Sequence, residues 1–283
     1  MVVEEPVVEE PEVSFGPRAV ARVYWRLLWA GFRRQSAYRA AMLGGLAANT
    51  AFGLLKVGML FATVRAAGGE LAGYDVGKMN AYIWISQGLL GSLNLSGRSE
   101  MATRVKDGSV VVDFLRPLDV QAAEITTEVG RALFALIPRG IPMLALGAAI
   151  GMALPESAAA LPLGVLSVVL GIVISAASAY LVGVAGFWLV ETRGIQIFYM
   201  VVSGFLAGLF MPVALFPPLL RTLAQATPFP AMMMYPVDVL SGRVDVAGAC
   251  GLLAAQVAWL VGVAVLGQIL TRAGRRHLEI QGG

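Results

Sequence analysis

The sequence predicts an all-α integral membrane protein: six transmembrane helices, an N-terminal interfacial helix, a short cytoplasmic helix after the second span and a re-entrant segment on the outer side. Three observations carry this. Hydrophobic residues make up 58% of the 283 residues, charged residues only 14%, and mean hydropathy is +0.75; soluble domains are about half apolar and about a quarter charged. Uncharged stretches recur at lengths close to the roughly 20 residues that a helical span needs. Basic residues fall preferentially on one side of those stretches.

Residues 1–17 hold Glu4, Glu5, Glu9, Glu10 and Glu12 between prolines and are expected to form a disordered acidic tail. They show neither the basic nor the apolar region of a secretory signal. Residues 18–41 follow as an interfacial amphipathic helix. Arg18, Arg22 and Arg26 recur every four residues on one face, and Tyr24, Trp25, Leu28, Trp29 and Phe32 cover much of the rest.

The first span is Met42–Val64, whose only charge is Lys56. The second, Tyr82–Ser96, is short and carries Ser86, Gln87, Ser92 and Asn94, a polar set able to pack against other helices. A charged stretch from Arg98 to Glu128 separates it from the third, Ala132–Leu154, which contains Arg139 and Pro142. Starting that span at Ile141 would leave it too short to cross alone. Arg131 is expected at the inner interface, and Arg139 either pairs inside the protein or marks a later start of the span. Leu161–Val190 and Ile195–Leu220 are uncharged, the latter broken by Pro212, Pro217 and Pro218, and Ala247–Thr271 closes the set. Phe210–Leu240 reads as a broken span end followed by a re-entrant or interfacial segment, because apolar loop beside a bilayer must be buried in protein or dip into the interface. Pro212, Phe216, Pro217, Pro228, Pro230 and Pro236 mark it. GxxxG spacings at Gly147–Gly151 and Gly204–Gly208 are expected to serve span packing.

With both termini in the cytoplasm, fourteen Lys and Arg residues lie inside against Arg65, Lys78, Arg221 and Arg243 outside, with Lys56, Arg131 and Arg139 unassigned. Glu191 and Arg193 flank an inner turn and read as topological anchors.

Composition excludes much chemistry. One cysteine, Cys250, and one histidine, His277, leave no Cys/His metal site and no intrachain disulfide. Nothing in the spans assembles a catalytic constellation. The nearest approach to a P-loop, Gly73 to Met79, is one residue short and has Met79 where the magnesium-binding hydroxyl belongs. Met232, Met233 and Met234 are expected to pack rather than to bind metal. The basic balance is directed at membrane lipid, not nucleic acid.

The loop from Arg104 to Asp119 is short, charged and amphipathic. Gly108 permits a turn and Pro117 ends a helix. Val110, Phe114 and Leu118 recur at i, i+4 and i+8, giving a stripe suited to a groove on another protein.

The string Lys106-Asp107-Gly108-x-Val110-x-x-x-x-Leu115-Arg116-Pro117-Leu118 resembles the coupling-helix region of ABC-2 type transporter permeases, in the compact six-span bacterial branch without a fused ATPase domain. Ser203 to Pro217, followed by Thr227-Pro-Phe-Pro and Tyr235-Pro, is similar to that family's fifth span and outer re-entrant region. The C-terminal Arg275 to Gly283 is similar to its basic, glycine-ended tail. The resemblance implies that residues 42–283 form an ABC-2 type transmembrane domain of an exporter in the bacterial plasma membrane. It implies a second permease chain, identical or different, and separate cytoplasmic P-loop ATPase subunits that hold the ATP and magnesium. Arg104, Lys106, Asp107, Gly108, Val110, Phe114, Leu115, Arg116 and Pro117 would then contact the ATPase. The rival reading is a stand-alone secondary transporter or channel that uses Lys56 in its pathway.

Overall fold

The computed structural model describes residues 16–37, 39–189 and 191–281. The expected acidic tail falls almost wholly outside them, as do the last two glycines. Twelve α-helices form the described chain, with no strand among the described residues: α1 (Pro17–Ser36), α2 (Arg39–Ala66), α3 (Val76–Leu89), α4 (Glu100–Lys106), α5 (Val110–Phe114), α6 (Val120–Ala135), α7 (Ile141–Ala149), α8 (Ala160–Val184), α9 (Arg193–Leu206), α10 (Pro218–Gln225), α11 (Phe229–Leu240) and α12 (Val246–Gln281). A π-helical turn, Leu136–Gly140, joins α6 to α7.

Buried hydrogen bonds fix the direction of each pass. Asn49 early in α2 donates to the Gln87 carbonyl late in α3, and Asn80 early in α3 donates to the Gly147 carbonyl late in α7, so these helices alternate. Ser167 and Gln256 exchange hydrogen bonds early in α8 and α12, and Tyr180 meets Thr271 late in both, so α8 and α12 run parallel. Gln256 also donates to the Ala231 carbonyl and stitches α11 to the same pair. Polar side chains thus serve as the adhesive between spans, where apolar burial alone gives little preference over lipid. One end of the molecule carries α1, α4 and α5 and is rich in arginine, the basic end; the other is the far end.

Four stretches are long and apolar enough to cross a membrane: Met42–Ala66, Val120–Ala149, Ala160–Phe187 and Val246–His277. The other two passes are built differently. Helix α3 has 14 residues, about 21 Å at 1.5 Å per residue, against a hydrocarbon core of about 30 Å. Every residue from Met79 to Leu89 is buried, so its length is matched to protein neighbours and not to lipid. Helix α9 also has 14 residues. It stops where Gly208 and Leu209 meet Tyr82 and Lys56, halfway along α3 and α2. The chain turns back through α10, and α11 starts beside α9, with Phe229 and Tyr199 rings 5.7 Å apart. Helix α11 then leads to the far end, where Asp238 accepts from Tyr74 at 2.8 Å. Two short helices therefore share the fifth pass.

Several boundaries differ from the sequence reading, each for a local reason. The second pass starts at Val76 because Asp75 caps it, accepting from the Lys78 amide at 2.8 Å. The third starts at Val120, capped by Asp119. Glu124, Glu128 and Arg131 therefore belong to the helix, not to a preceding loop, and the span starts earlier than Ala132. Of the two placements open to the segment 210–240, burial in protein or a dip into the interface, its second half takes burial. Pro230 to Met234 and Pro236 to Val239 are buried, with Met232 to Met234 packed in the core. Gly151 and Gly208 lie past helix ends, so neither GxxxG string is a helix face.

Helix α1 is amphipathic, as its arginine and tryptophan pattern indicates, but it is docked rather than only interfacial. Its backbone packs directly on α6: a Cβ on Gly31 would overlap the Thr127 carbonyl, and one on Gly130 would overlap the Leu28 carbonyl. At the far end, Arg243 grips buried Asp238 with two hydrogen bonds of 2.6 Å and lies over the Tyr74 ring.

Gly31→Ala and Gly130→Ala each force backbone apart and are expected to lower stability by about 1–3 kcal/mol. Gly44→Ala and Gly262→Ala, which meet nothing within 4 Å, serve as controls expected to be neutral. Thermal unfolding in mild detergent separates the two pairs. By the same measurement, Arg243→Ala strands a buried carboxylate and costs about 3–5 kcal/mol, whereas Tyr74→Phe costs about 1 kcal/mol.

Candidate functional site

A cavity of about 1180 Å³ opens among the helices. Its walls are the inner face of α1 (Gly31, Arg34, Gln35), the non-helical segment after α3 (Leu90 to Ser99), α6 (Glu124, Thr127, Glu128, Arg131) with Arg139, α8 (Ala176, Ala179, Tyr180) and α9 with the residues after it (Gln196, Met200, Val201, Gly204, Phe205, Leu209, Phe210). Non-helical backbone at membrane depth is tolerated only where protein satisfies its polar groups. Here Asn94 donates to the Arg98 carbonyl at 2.7 Å and to Glu128 at 2.9 Å, its own amide reaches Ser175, and Ser203 donates to the Leu95 carbonyl.

The carboxylates of the cavity wall are all engaged. Glu128 takes a two-point contact from Arg131 at 2.7 and 2.8 Å. Glu100 pairs with Arg34. Glu124 receives Arg104 at 2.7 Å and also accepts from Ser99 and from the Glu100 amide, which caps α4. Arg139 makes no ion pair or hydrogen bond among the described residues, and it lies against the bare backbones of Gly45 and Gly91. The sequence reading allowed it a partner inside the protein or a position below the span; it has neither.

The second candidate surface lies below the cavity at the basic end. Gly108, with φ +77°, turns the chain from α4 into α5, a conformation that favours glycine. Asp107 helps fix the turn: Ser109 donates to it through hydroxyl and amide, which holds its carboxyl below the usual range. Arg104 joins α4, α5 and α6. It reaches Glu124, and its Nε lies 2.7 Å from Asp113 but out of line for a hydrogen bond, so that contact is charge pairing. Burial pulls the Arg104 guanidinium down, yet Glu124, Asp113 and Glu100 outweigh it and hold it above its usual value.

The stripe Val110, Phe114 and Leu118 faces the protein, not outward. Val110 is fully buried against Met101, Tyr180, Val184 and Phe187. Phe114 stacks on Phe187 and carries Arg275 over its other side, and Leu118 is half-buried. The helix instead exposes Leu115 (79%), Val112 (52%) and Val111 (49%). Lys106, Arg116 and Pro117 border that exposed face. Lys106 pairs with Glu191 at 2.8 Å, which holds Glu191 below the usual carboxylate range.

Lys56 does not line the cavity. It donates to the Leu209 carbonyl beyond the end of α9 and lies over the Tyr82 ring, whose hydroxyl donates to the Gly208 carbonyl at 2.7 Å. A cation there meets the negative end of a helix. The proline-marked segment is split: Pro212 and Phe216 are buried beneath the turn, Pro217 and Pro218 start α10, Pro228 and Pro230 start α11, and Pro236 lies within α11. No group of three or more His, Cys, Asp or Glu side chains able to hold a metal occurs among the described residues. The cavity itself was not read from the sequence. Its signal was present in Asn94, Glu128, Arg131 and Arg139, polar residues scattered over two spans that meet only in the fold.

Comparison with curated proteins gave no match. The family model described as ABC-2 family transporter protein matches residues 50–282, so α1 and the start of α2 lie outside the matched stretch. A match over most of the chain, on a helical framework with four full-length spans and two passes of shorter apolar helices, places this protein in the ABC-2 transporter family.

Proposed function

We propose that this chain is the permease subunit of an ATP-driven exporter of the bacterial plasma membrane, with both termini in the cytoplasm. A separate P-loop ATPase docks on the α4–α5 turn and supplies ATP and magnesium; a second permease chain completes the pathway. The observation that carries this is the exposed apolar edge Val111, Val112 and Leu115, held on a helix of five residues. So short a helix is not stable alone. Arg104 braces it through Asp113 to α6, which forms the cavity wall. Exposed leucine and valine on a rigid, charged-rimmed turn suit a groove on a protein partner. Lys106, Asp107, Gly108 and Arg116 provide the rim, and Val110, Phe114 and Pro117 shape the turn from within. The arginine-rich basic end supports the cytoplasmic assignment. The contact of Lys56 with the end of α9 supports a structural role for it in this reading.

The test is purification of the full chain from its native membrane in mild detergent, with mass identification and an ATPase assay. A P-loop ATPase is expected to co-purify. Val111→Asp with Leu115→Asp is expected to weaken its binding about thirtyfold, the scale of about 2 kcal/mol for a central interface contact. Thermal stability should stay close to that of the parent, because both side chains are exposed. Recovery of the parent chain alone, folded and without ATPase activity, overturns the reading.

Arg104→Ala is expected to do more to stability than the edge variants, by about 3 kcal/mol or more, because it leaves Glu124 and Asp113 partly buried without their cation. Lys56→Met is expected to cost about 1–2 kcal/mol of stability by leaving the Leu209 carbonyl with only the long Tyr82 contact of 3.4 Å. It should not abolish ATP-dependent transport; complete loss of transport in a stably folded Lys56→Met variant would restore the pathway role.

A further inference from the structure

We infer that the large cavity binds an amphipathic anion, with its phosphate or carboxylate head at Arg139 and its hydrocarbon tail along α9. This deepens the permease reading, on which it rests, by naming the chemistry of the cargo.

Charge is the first argument. Arg34, Arg98, Arg131 and Arg139 line the cavity with Glu100, Glu124 and Glu128. Each carboxylate is committed to an arginine already described. Arg98 and Arg139 have no carboxylate within ion-pair range among the described residues. An uncompensated guanidinium inside a membrane-spanning segment is costly and marks a path for ligand or ion. Arg139 does not recover that cost from the protein.

Space is the second argument. Arg139 sits in the π-helical turn between α6 and α7, a helix distortion that recurs at functional sites. Two other elements leave room for it. A Cβ on Gly45 of α2 would overlap the guanidinium, and one on Gly91 would lie 2.5 Å from the Arg139 Cδ. The side chain is thus laid along bare backbone toward the cavity, with five donors and no acceptor of its own. A planar guanidinium with free donors matches a phosphate or carboxylate oxygen pair.

The α9 wall supplies the apolar half. Met200, Val201, Phe205, Leu209 and Phe210 line the cavity and contribute no charge. The volume of about 1180 Å³ slightly exceeds the roughly 300–1,000 Å³ of sites for drug-sized ligands. It therefore holds a head and part of a chain. A free inorganic anion would leave the α9 wall unused, and a neutral lipid would leave Arg139 unpaired.

The test is equilibrium binding to the full purified chain in neutral-lipid nanodiscs. The probe is fluorescent lysophosphatidic acid, displaced by unlabelled lysophosphatidic acid, oleate, monoolein or inorganic phosphate. Lysophosphatidic acid and oleate are expected to displace it at least about tenfold better than monoolein, the scale of one charge-assisted hydrogen bond. Inorganic phosphate should displace it only weakly. Arg139→Gln should remove that preference while leaving monoolein binding unchanged, and Arg139→Lys should restore part of it. Unfolding temperatures show whether each variant is folded, and retained monoolein binding shows that the cavity persists. Equal displacement by oleate and monoolein, an unaltered preference in Arg139→Gln, or displacement by inorganic phosphate alone as strong as by lysophosphatidic acid would overturn the inference. Because the chain is assayed without ATPase, such a result leaves the permease reading intact. Anion-selective binding without a co-purifying ATPase would instead remove the permease reading and keep the site.

Discussion

Hydrocarbon offers no partner for a backbone amide or carbonyl, so every break in a spanning helix must be sealed by the protein itself. This chain has two such breaks, after α3 and after α9, and the rest of the fold is arranged around them. The first is sealed by Asn94, Ser175 and Ser203, drawn from the break itself, α8 and α9. The second is sealed by Tyr82 from α3 and by Lys56 from α2. Each seal ties at least one neighbouring span in place. Both breaks open on the same cavity: residues 90–96 form one side, and Leu209 and Phe210 lie on another. The cavity is thus a consequence of ending two helices early, and the polar groups that make those endings tolerable also furnish its walls.

The same constraint explains what the sequence could and could not reveal. Spans that meet lipid must be apolar over their full length, and the starts of α2, α8 and α12 were readable to within a few residues, whereas the end of α12 runs well past Thr271. Helix α3 was placed six residues too late because it meets protein on all sides. It tolerates Lys78, Asn80, Ser86 and Gln87, and hydropathy therefore understates it. Helix α6 was hidden for the converse reason. Glu124, Glu128 and Arg131 look like loop residues until the cavity and Arg104 give them partners. The prolines after Phe210 did announce a break, but they left open whether the next segment would be buried in protein or dip into the interface. That depends on Gly171 and Gly164 letting α11 approach α8 closely.

The α4–α5 turn shows the limit of periodicity. Val110, Phe114 and Leu118 form a correct stripe, and so do Val111 and Leu115 four residues apart. In a helix of five residues nothing local decides which stripe faces in. Tertiary packing decides it: Tyr180, Val184 and Phe187 offer an apolar seat that accepts Val110 and Phe114. Leu115, with 79% of its surface exposed, is left facing outward. Arg139 was conspicuous in the sequence as a charge within a span, yet its surroundings of Gly45, Gly91 and Arg131 come from three separate segments.

Glu124 is where the two surfaces meet. It lines the cavity, caps the start of α4 and holds Arg104, which in turn faces Asp113 on α5. Packed cores move between discrete arrangements rather than stretching continuously. A force on the exposed edge of α5 therefore has two outcomes. Either Arg104 releases Glu124 and Asp113, or α4, α5 and α6 move as one body. With Glu124 and Asp113 only 14% and 16% exposed, release would strand partly buried carboxylates at a cost of several kcal/mol. Displacement of α4, α5 and α6 together keeps those pairs, but it must carry or break the seat of Val110 on Tyr180 and Val184 and the Gln121 hydrogen bond to the Ala264 carbonyl of α12. It carries Glu128 and Arg131 with it, and α1 follows through the Gly31 and Gly130 contacts. The α1 and α6 walls of the cavity are thus joined to the α4–α5 turn, which is itself seated on α8 through Val110 against Tyr180 and Val184.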